Sequence, residues 1–269
     1  MNLIKPKKKF GQNFLTDKNI AEKIVSYLAY KKAKTIIEVG PGKGILSKMI
    51  VNLAVENKKF VEIDLDCVEY LKKQYPKIKN DIINEDFLKI DITKFKNPLS
   101  IIGNFPYNIS SQILFKTFEN KDKIDELVGM FQKEVAERIA CVNGKKRGIL
   151  SVLIQTFYNV EYCFSVDEIE FSPKPKVKSG VIRITRNQRK KLNCNPKLYK
   201  TIIKTAFNQR RKTLKNALKC FDIKMDKNIK RLMSLRAENL SVEDYIYITN
   251  NVESTRNESK TFQKSISNI

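Results

Sequence analysis

Histidine and tryptophan are both absent from the chain. Without an imidazole there is no Ser-His-Asp triad, no imidazole proton shuttle and no zinc site of the histidine-containing kind. Cysteine is sparse: Cys67, Cys141, Cys163, Cys194 and Cys220 lie scattered with no CxxC pair. Neither a metal knuckle nor a disulfide framework is therefore expected, and the pattern fits the reduced thiols of a cytoplasmic protein. Long apolar runs are missing too. None approaches the roughly 18 residues of a membrane span, and no signal-type hydrophobic stretch follows the basic start, so a soluble intracellular chain with no membrane partner is expected. No apolar heptad or spare hydrophobic stripe is evident, which leaves a monomer as the default expectation.

Negative charge is also in short supply, with 29 Asp plus Glu against 52 Lys plus Arg and a formal net charge of +23. A field of that size attracts polyanions, so nucleic acid is the first partner to consider. A lysine-rich composition bias would spread such charge evenly, but residues 187–240 alone hold sixteen Lys or Arg against three Asp or Glu. The 42% of hydrophobic residues and 30% of charged ones exclude a wholly disordered chain and a fibrous repeat. At 269 residues, one large α/β domain with a small companion is the natural organisation.

Short β-rich runs are expected at 35–39, 58–64, 81–86, 99–103 and 126–131. Helical spacing is expected at 18–30, 45–56, 66–75, 110–119, 133–142 and 148–158. This alternation is the pattern of βαβ units on a parallel sheet. The run FSPKPKVKSGVIRITR at 171–186 begins as a Pro-containing turn and ends as an edge strand, and near Gln188 the pattern changes. From Pro196 to Asn250 the periodicity is helical, with no convincing strand. The expected fold class is α/β, a Rossmann-like sheet followed by a small C-terminal all-helical domain. The domains run over 1–190, including the basic N-terminal segment, and 191–251, with a disordered tail over 252–269.

The sharpest motif is Glu38-Val39-Gly40-Pro41-Gly42-Lys43-Gly44, placed after the run TIIEV and before a helical face of Ile45, Leu46, Met49, Ile50 and Leu53. Alternate glycines at a strand-to-helix turn let the backbone approach a nucleotide-like cofactor. Gly40 and Gly42 are the expected contacts. Glu62, about twenty residues further on in FVEID, suits ribose hydroxyls, although a NAD enzyme would show the same pair. Asp86, in NED, could accept from the amino group of an adenine.

Asn104-Phe105-Pro106-Tyr107, directly after the fourth β-run, separates the possibilities. Methyl transfer from S-adenosylmethionine (SAM) asks little proton chemistry of a protein, because the sulfonium methyl is already electrophilic. The obstacle is the adenine N6 lone pair, which is delocalised into the ring. Two acceptors on the N–H bonds favour a pyramidal nitrogen; the Asn104 side-chain oxygen and the Pro106 carbonyl could supply them. Tyr107 would stack on the extruded base. No histidine is required, and neither a metal-dependent nor a covalent mechanism finds residues to carry it.

With these residues in view, the chain resembles the ribosomal RNA adenine dimethyltransferases of the KsgA type. The resemblance rests on KKKFGQNFLTD at 7–17, EVGPGKG at 38–44, GNFPYNIS at 103–110, QKEVAERI at 132–139, FSPKPKVKSGVIRI at 171–184 and AFNQRRKTLKNAL at 206–218. It implies SAM-dependent dimethylation of N6 on two adjacent adenosines in the 3'-terminal hairpin of small-subunit rRNA, on a pre-30S-type particle. It further implies that Asn13 and Leu15 close over the cofactor. Gly40 would contact its methionine end, Glu62 its ribose and Asp86 its adenine, with Asn104 at the reaction centre and Phe171 as a second aromatic over the target base. Phe105 stands where leucine is usual.

The rival within the family is an erythromycin-resistance-type enzyme acting on large-subunit rRNA, against which the 206–218 segment argues. Read as one helix, that segment puts Leu214, Leu218 and Phe221 on an apolar stripe and Arg211, Lys215 and Lys219 beside it. Arg210, Arg211, Lys212 and Lys215 are the expected RNA contacts. A ribosome assembly factor that acts chiefly by binding, and a NAD-dependent oxidoreductase, are the readings from other classes.

Overall fold

The computed structural model describes residues 4–255. The basic N-terminal segment makes a short 3-10 turn at Lys8–Phe10 and then strand β1 (Phe14–Leu15). Asp17 next caps helix α1 (Lys18–Ser26), its carboxylate accepting from Ile20 N–H at 2.7 Å, and the helix buries Ala21, Ile24 and Val25. Strand β2 (Thr35–Val39) is buried along its whole length, as expected for an inner strand of a parallel sheet.

The glycine turn leads into α2, which is only Ser47–Ile50. The expected helix over 45–56 stops early because Asn52 and Leu53 donate to Met49 and Ile50, three residues back, tightening the chain out of α geometry. Next come β3 (Asn57–Val61), α3 (Leu65–Gln74), β4 (Ile82–Ile83), β5 (Leu99–Asn104), α4 (Ser110–Glu119), β6 (Ile124–Gln132), α5 (Lys133–Ala140) and α6 (Ile149–Phe157). Strands β7 (Tyr158–Val166), β8 (Phe171–Ser172) and β9 (Ser179–Arg186) follow.

Seven strands form one sheet in the order β4-β3-β2-β5-β6-β9-β7. The five from β4 to β6 pair in parallel, and β9 joins β6 and β7 in antiparallel register. The order reverses between β2 and β5, so the carboxyl ends of these two strands flank the crevice in which such sheets bind ligands. A separate pair, β1 with β8, sets Leu15 opposite Phe171.

Two compact units emerge, one taking residues up to Ala140 plus Phe157–Gln188, the other Cys141–Thr156 plus Arg189 onward. The domain boundaries expected from sequence therefore change: 141–156 leaves the first domain for the second. Its buried Arg147 donates to the Leu240 carbonyl at 2.6 Å, Gly144 N–H reaches the Glu238 carbonyl at 3.1 Å, and Thr156 shares a 2.8 Å hydroxyl contact with Tyr199. Apolar periodicity does not reveal which of two cores a helix joins.

The second unit continues with α7 (Pro196–Asn208), capped by Asn195, then α8 (Leu214–Ala217), β10 (Phe221–Ile223), α9 (Lys227–Met233), α10 (Val242–Asn250) and β11 (Val252–Thr255). The strand pair β10–β11 corrects the expectation that 196–250 lacks strands and that the tail begins at 252. Three residues are too few to show alternation, and their partner was read as tail. The remainder of that tail, 256–269, lies outside the described residues. Among the described residues no helix is long and apolar enough to cross a membrane.

Candidate active site

The glycine turn is built by conformation. Gly40, Gly42 and Gly44 have φ of 67°, 55° and 78°, in the left-handed region that side chains disfavour. At Gly42 space is also closed, since a Cβ there would lie 2.8 Å from the Phe14 ring. The turn therefore lets the N-terminal segment press onto the end of β2, and between them lies a cavity of about 310 Å³.

The cavity is lined from the carboxyl ends of β2 (Val39, Gly40, Gly42), β3 (Val61, Glu62, Ile63), β4 (Glu85, Asp86, Phe87) and β5 (Asn104 to Ile109), and by Lys9 to Phe14. Asn13, Gly40, Gly42, Glu62, Asp86, Asn104, Pro106 and Tyr107 thus meet as the sequence suggested. Leu15 and Phe171 do not. Both are buried in the hydrophobic core, cross-strand neighbours in the β1–β8 pair, so they anchor the N-terminal segment without forming the cavity wall. Sequence reasoning missed Ile63, Phe87 and Gln12. Ile63 had a signal in its place beside Glu62; it is 44% exposed, unusual for an isoleucine at the edge of a core.

Glu62 is buried, with Oε2 accepting from Gly42 N–H at 2.9 Å and Oε1 from Asp64 N–H at 3.0 Å. Burial pushes its carboxyl above the ordinary range, and the two backbone donors partly offset that. A carboxylate has about four lone-pair sites, so two remain for a ligand's hydroxyls. Glu38 lies deeper. Ser47 Oγ donates to its Oε2 at 2.7 Å, and burial pushes its pKa up to about 8, with the Glu62 charge adding to the rise. Asp86 accepts Leu88 N–H on Oδ1 at 2.9 Å. The loop beyond it is tied down by Lys116, whose ammonium donates to the carbonyls of Leu88 at 2.9 Å and Ile90 at 2.6 Å.

At the end of β5, Asn104 Nδ2 donates to the Asn13 carbonyl at 2.8 Å. A carbonyl only accepts, so the amide nitrogen must face Asn13, and Oδ1 has no donor among the described residues. The Pro106 carbonyl, expected from sequence as the second acceptor, is committed to its own turn: Ile109 N–H reaches it at 3.2 Å and Ser110 Oγ at 3.3 Å. The preceding carbonyl, on Phe105, accepts nothing among the described residues. Phe105 itself is fixed by packing. Its ring lies so close to Gly129 on β6 that a Cβ there would sit 2.0 Å from it, and it packs tilted by 49° against Phe131, with ring centroids 4.9 Å apart. Glycine on β6 is what accommodates a ring at this position. The Tyr107 hydroxyl meets buried Ser179 Oγ at 2.6 Å, and burial raises its pKa.

The basic segment of the second unit departs from the single-helix reading. α7 ends at Asn208 and α8 begins at Leu214, so Arg211, Lys215 and Lys219 do not share one helical stripe. Leu214, Leu218 and Phe221 are buried as expected. Arg210, half-exposed, is committed to contacts within its own unit, bonding Glu238 Oε2 at 3.4 Å and the Lys145 carbonyl. Arg211, Lys212 and Lys215 are exposed and make no ion pair among the described residues.

A glycine turn at the switch point of a mostly parallel sheet, with an acidic residue closing each of the next two strands, defines the nucleotide-cofactor class of α/β methyltransferases. The solved dimethyladenosine transferase from Plasmodium falciparum matches at a TM-score of 0.74 and 22% identity, over 87% of this chain and 95% of that one. The 23S rRNA methyltransferase ErmE matches at 0.72 and 20%, over 90% and 100%. Both likenesses establish the fold. The chain belongs to the ribosomal RNA adenine dimethylase family, whose profile matches residues 4–254. The ribosomal RNA small subunit methyltransferase A of Flavobacterium johnsoniae is 50% identical over 256 residues, 94% of this chain and 98% of that protein.

Proposed function

We propose that this protein dimethylates N6 of two adjacent adenosines in the 3'-terminal hairpin of small-subunit rRNA, using SAM, on a pre-30S-type particle in the cytoplasm and as a monomer. The carrying observation is Asn104, its amide nitrogen held by the Asn13 carbonyl in the same cavity as Glu62 and Asp86. The small-subunit relative at 50% identity favours this substrate over large-subunit rRNA.

The cavity suits the cofactor. Its volume falls within the roughly 300–1,000 Å³ of ordinary ligand pockets. Glu62 retains acceptor capacity for ribose hydroxyls, Asp86 Oδ2 for the adenine amino group, and the Gly40–Gly42 backbone admits the methionine end. Bound there, SAM supplies an electrophilic methyl whose departure leaves a neutral thioether. Asn104 Oδ1 accepts one N6–H, and the Phe105 carbonyl, in place of Pro106, accepts the other. Held so, N6 turns its lone pair out of the ring plane. After the first transfer the methylated, cationic amine releases one proton to solvent, one N–H remains, and a single acceptor serves the second. Tyr107 holds the base by its face, and Ser179 holds the Tyr107 hydroxyl. Arg211, Lys212 and Lys215 contact phosphates.

Mass spectrometry of rRNA from cells with and without the gene tests the reading. Dimethyladenosine pairs confined to the small-subunit terminal hairpin and lost with the gene are expected. Loss of a large-subunit mark in their place would overturn it.

A further inference from the structure

The orientation of the Asn104 amide is set from outside its own strand. Rotating it by 180° would present an NH₂ to the target amine and remove the acceptor, and among the described residues only the 2.8 Å bond to the Asn13 carbonyl distinguishes the two orientations. Asn13 lies in a strap, residues 7–14, with little regular structure of its own. On one side β1 ties the strap to β8. On the other, the strap is tied chiefly to the Asp64 carboxylate, with Asp66 beside it. Gln12 Nε2 donates to Asp64 Oδ2 at 2.8 Å, the Lys7 ammonium bonds Asp64 Oδ1 and reaches Asp66 Oδ2 at 2.7 Å, and Lys7 N–H donates to Gln12 Oε1 at 2.8 Å.

The Asp64 side chain is only 1% exposed. Burial alone would raise its pKa, but the Lys7 and Gln12 bonds outweigh it and hold the group below the usual carboxylate range. A buried carboxylate robbed of its cation is strongly destabilised, so the strap is held where those donors reach it. Asp64 also donates its N–H to Glu62 Oε1, which links the strap's anchor to the proposed ribose acceptor. The Lys7 ammonium is thereby committed to the protein.

Resting on the function proposed above, we propose that Asp64 is a positioning residue: through Lys7 and Gln12 it pins the 7–14 strap and so holds the Asn13 carbonyl that orients the Asn104 amide. The strap is then part of the methyl-transfer machinery as well as a cover for the cofactor.

Asp64 also caps α3, accepting Asp66 N–H at 3.2 Å, so its own removal could simply loosen that helix. Lys7→Met and Gln12→Ala leave the cap in place. In the full-length protein, with SAM and purified small subunits, each should lower kcat by about tenfold to a hundredfold, the scale of an angstrom-sized misplacement. Lys7→Arg should restore most of the loss. Hydrogen exchange without RNA should quicken over residues 8–14 and stay unchanged over Leu65–Gln74. A rise in KM for SAM with kcat unchanged would reduce the strap to a cofactor cover and overturn the proposal, as would unaltered exchange over 8–14. A wild-type protein that methylates no small-subunit rRNA would instead sink the functional reading, and the exchange comparison would still report whether Asp64 pins the strap.

Discussion

The cavity end of the sheet and the basic segment at 206–218 differ in how far their side chains are committed. Around the cavity nearly every polar group has a named partner: Glu62 holds two backbone N–H groups, Asn104 one carbonyl and Tyr107 one hydroxyl. In the basic segment Arg210 alone is wired into the protein, while Arg211, Lys212 and Lys215 stand in solvent. Chemistry on a single nitrogen requires fixed acceptors, because a misaimed lone pair is lost. Holding a polyanion requires only charge nearby, because released counterions supply the free energy. Substitutions in the first region should therefore cost rate and cofactor affinity, and those in the second should change salt dependence.

The largest effect should come from Asn104→Ala. Removing one preorganised group at the developing charge costs on the order of 10²–10³ in kcat. SAM affinity, measured by calorimetry, should barely change. Equal loss of both would place Asn104 in the cofactor site alone.

Glu62→Ala comes next. Loss of charge-assisted bonds worth about 1.5–3 kcal/mol should lower SAM affinity by tens of fold. Because Glu62 also holds Gly42 and Asp64, thermal stability should fall together with affinity. Unchanged affinity in the folded fraction would mean that Glu62 is purely structural.

At Tyr107 the hydroxyl should matter less than the ring. Tyr107→Ala loses stacking of about 1–3 kcal/mol per base. Tyr107→Phe loses only the Ser179 bond, about 0.5–1.5 kcal/mol, so the rate should fall several-fold at most. Equal defects in the two variants would show that the hydroxyl acts directly.

The basic segment should give a gentler result. Neutralising Arg211, Lys212 and Lys215 should flatten the dependence of log K on log salt by about one unit per true contact, with SAM binding unaffected. Arg210→Ala should leave that slope unchanged and lower the unfolding temperature. Parallel lines for the triple variant would mark those cations as a solvated face.

The last test reads stability and not activity, and concerns Glu38. Its pKa in the folded protein is about 8, above the carboxylate value of the unfolded chain, so folding favours the protonated form. Its contribution to stability is complete below about pH 4.5 and is lost as pH rises toward 8. Wild-type stability relative to Glu38→Gln should decline across that window in urea titrations. A flat difference would mean that Glu38 stays ionised in the fold.

Much of the site was legible because its residues lie where local rules apply. That Gly40, Gly42 and Glu62 line one cavity follows from the grammar of a strand-to-helix turn, and that Asn104 and Tyr107 join them from the chemistry of an aromatic amine. Leu15 and Phe171 were misplaced because nothing in sequence spacing says that β1 and β8, about 150 residues apart, pair and turn both side chains into the core. Pro106 failed for a related reason. Whether a carbonyl is available depends on its turn, and the donors at Ile109 and Ser110 appear only when the chain is folded.

The sequence by itself determined the parallel sheet, the glycine turn, the absence of imidazole chemistry and the concentration of positive charge, since each depends on residue type and short-range order. Only the tertiary structure decided that 141–156 joins the second unit, that Arg210 is bonded to Glu238 and Lys145 while its neighbours stand free of ion pairs among the described residues, and that Asp64 bonds the strap whose Asn13 carbonyl meets Asn104. Those are contacts between residues distant in sequence, and a buried polar group takes whichever partner the fold brings within about 3 Å, because leaving it unpaired costs more than any local preference can return.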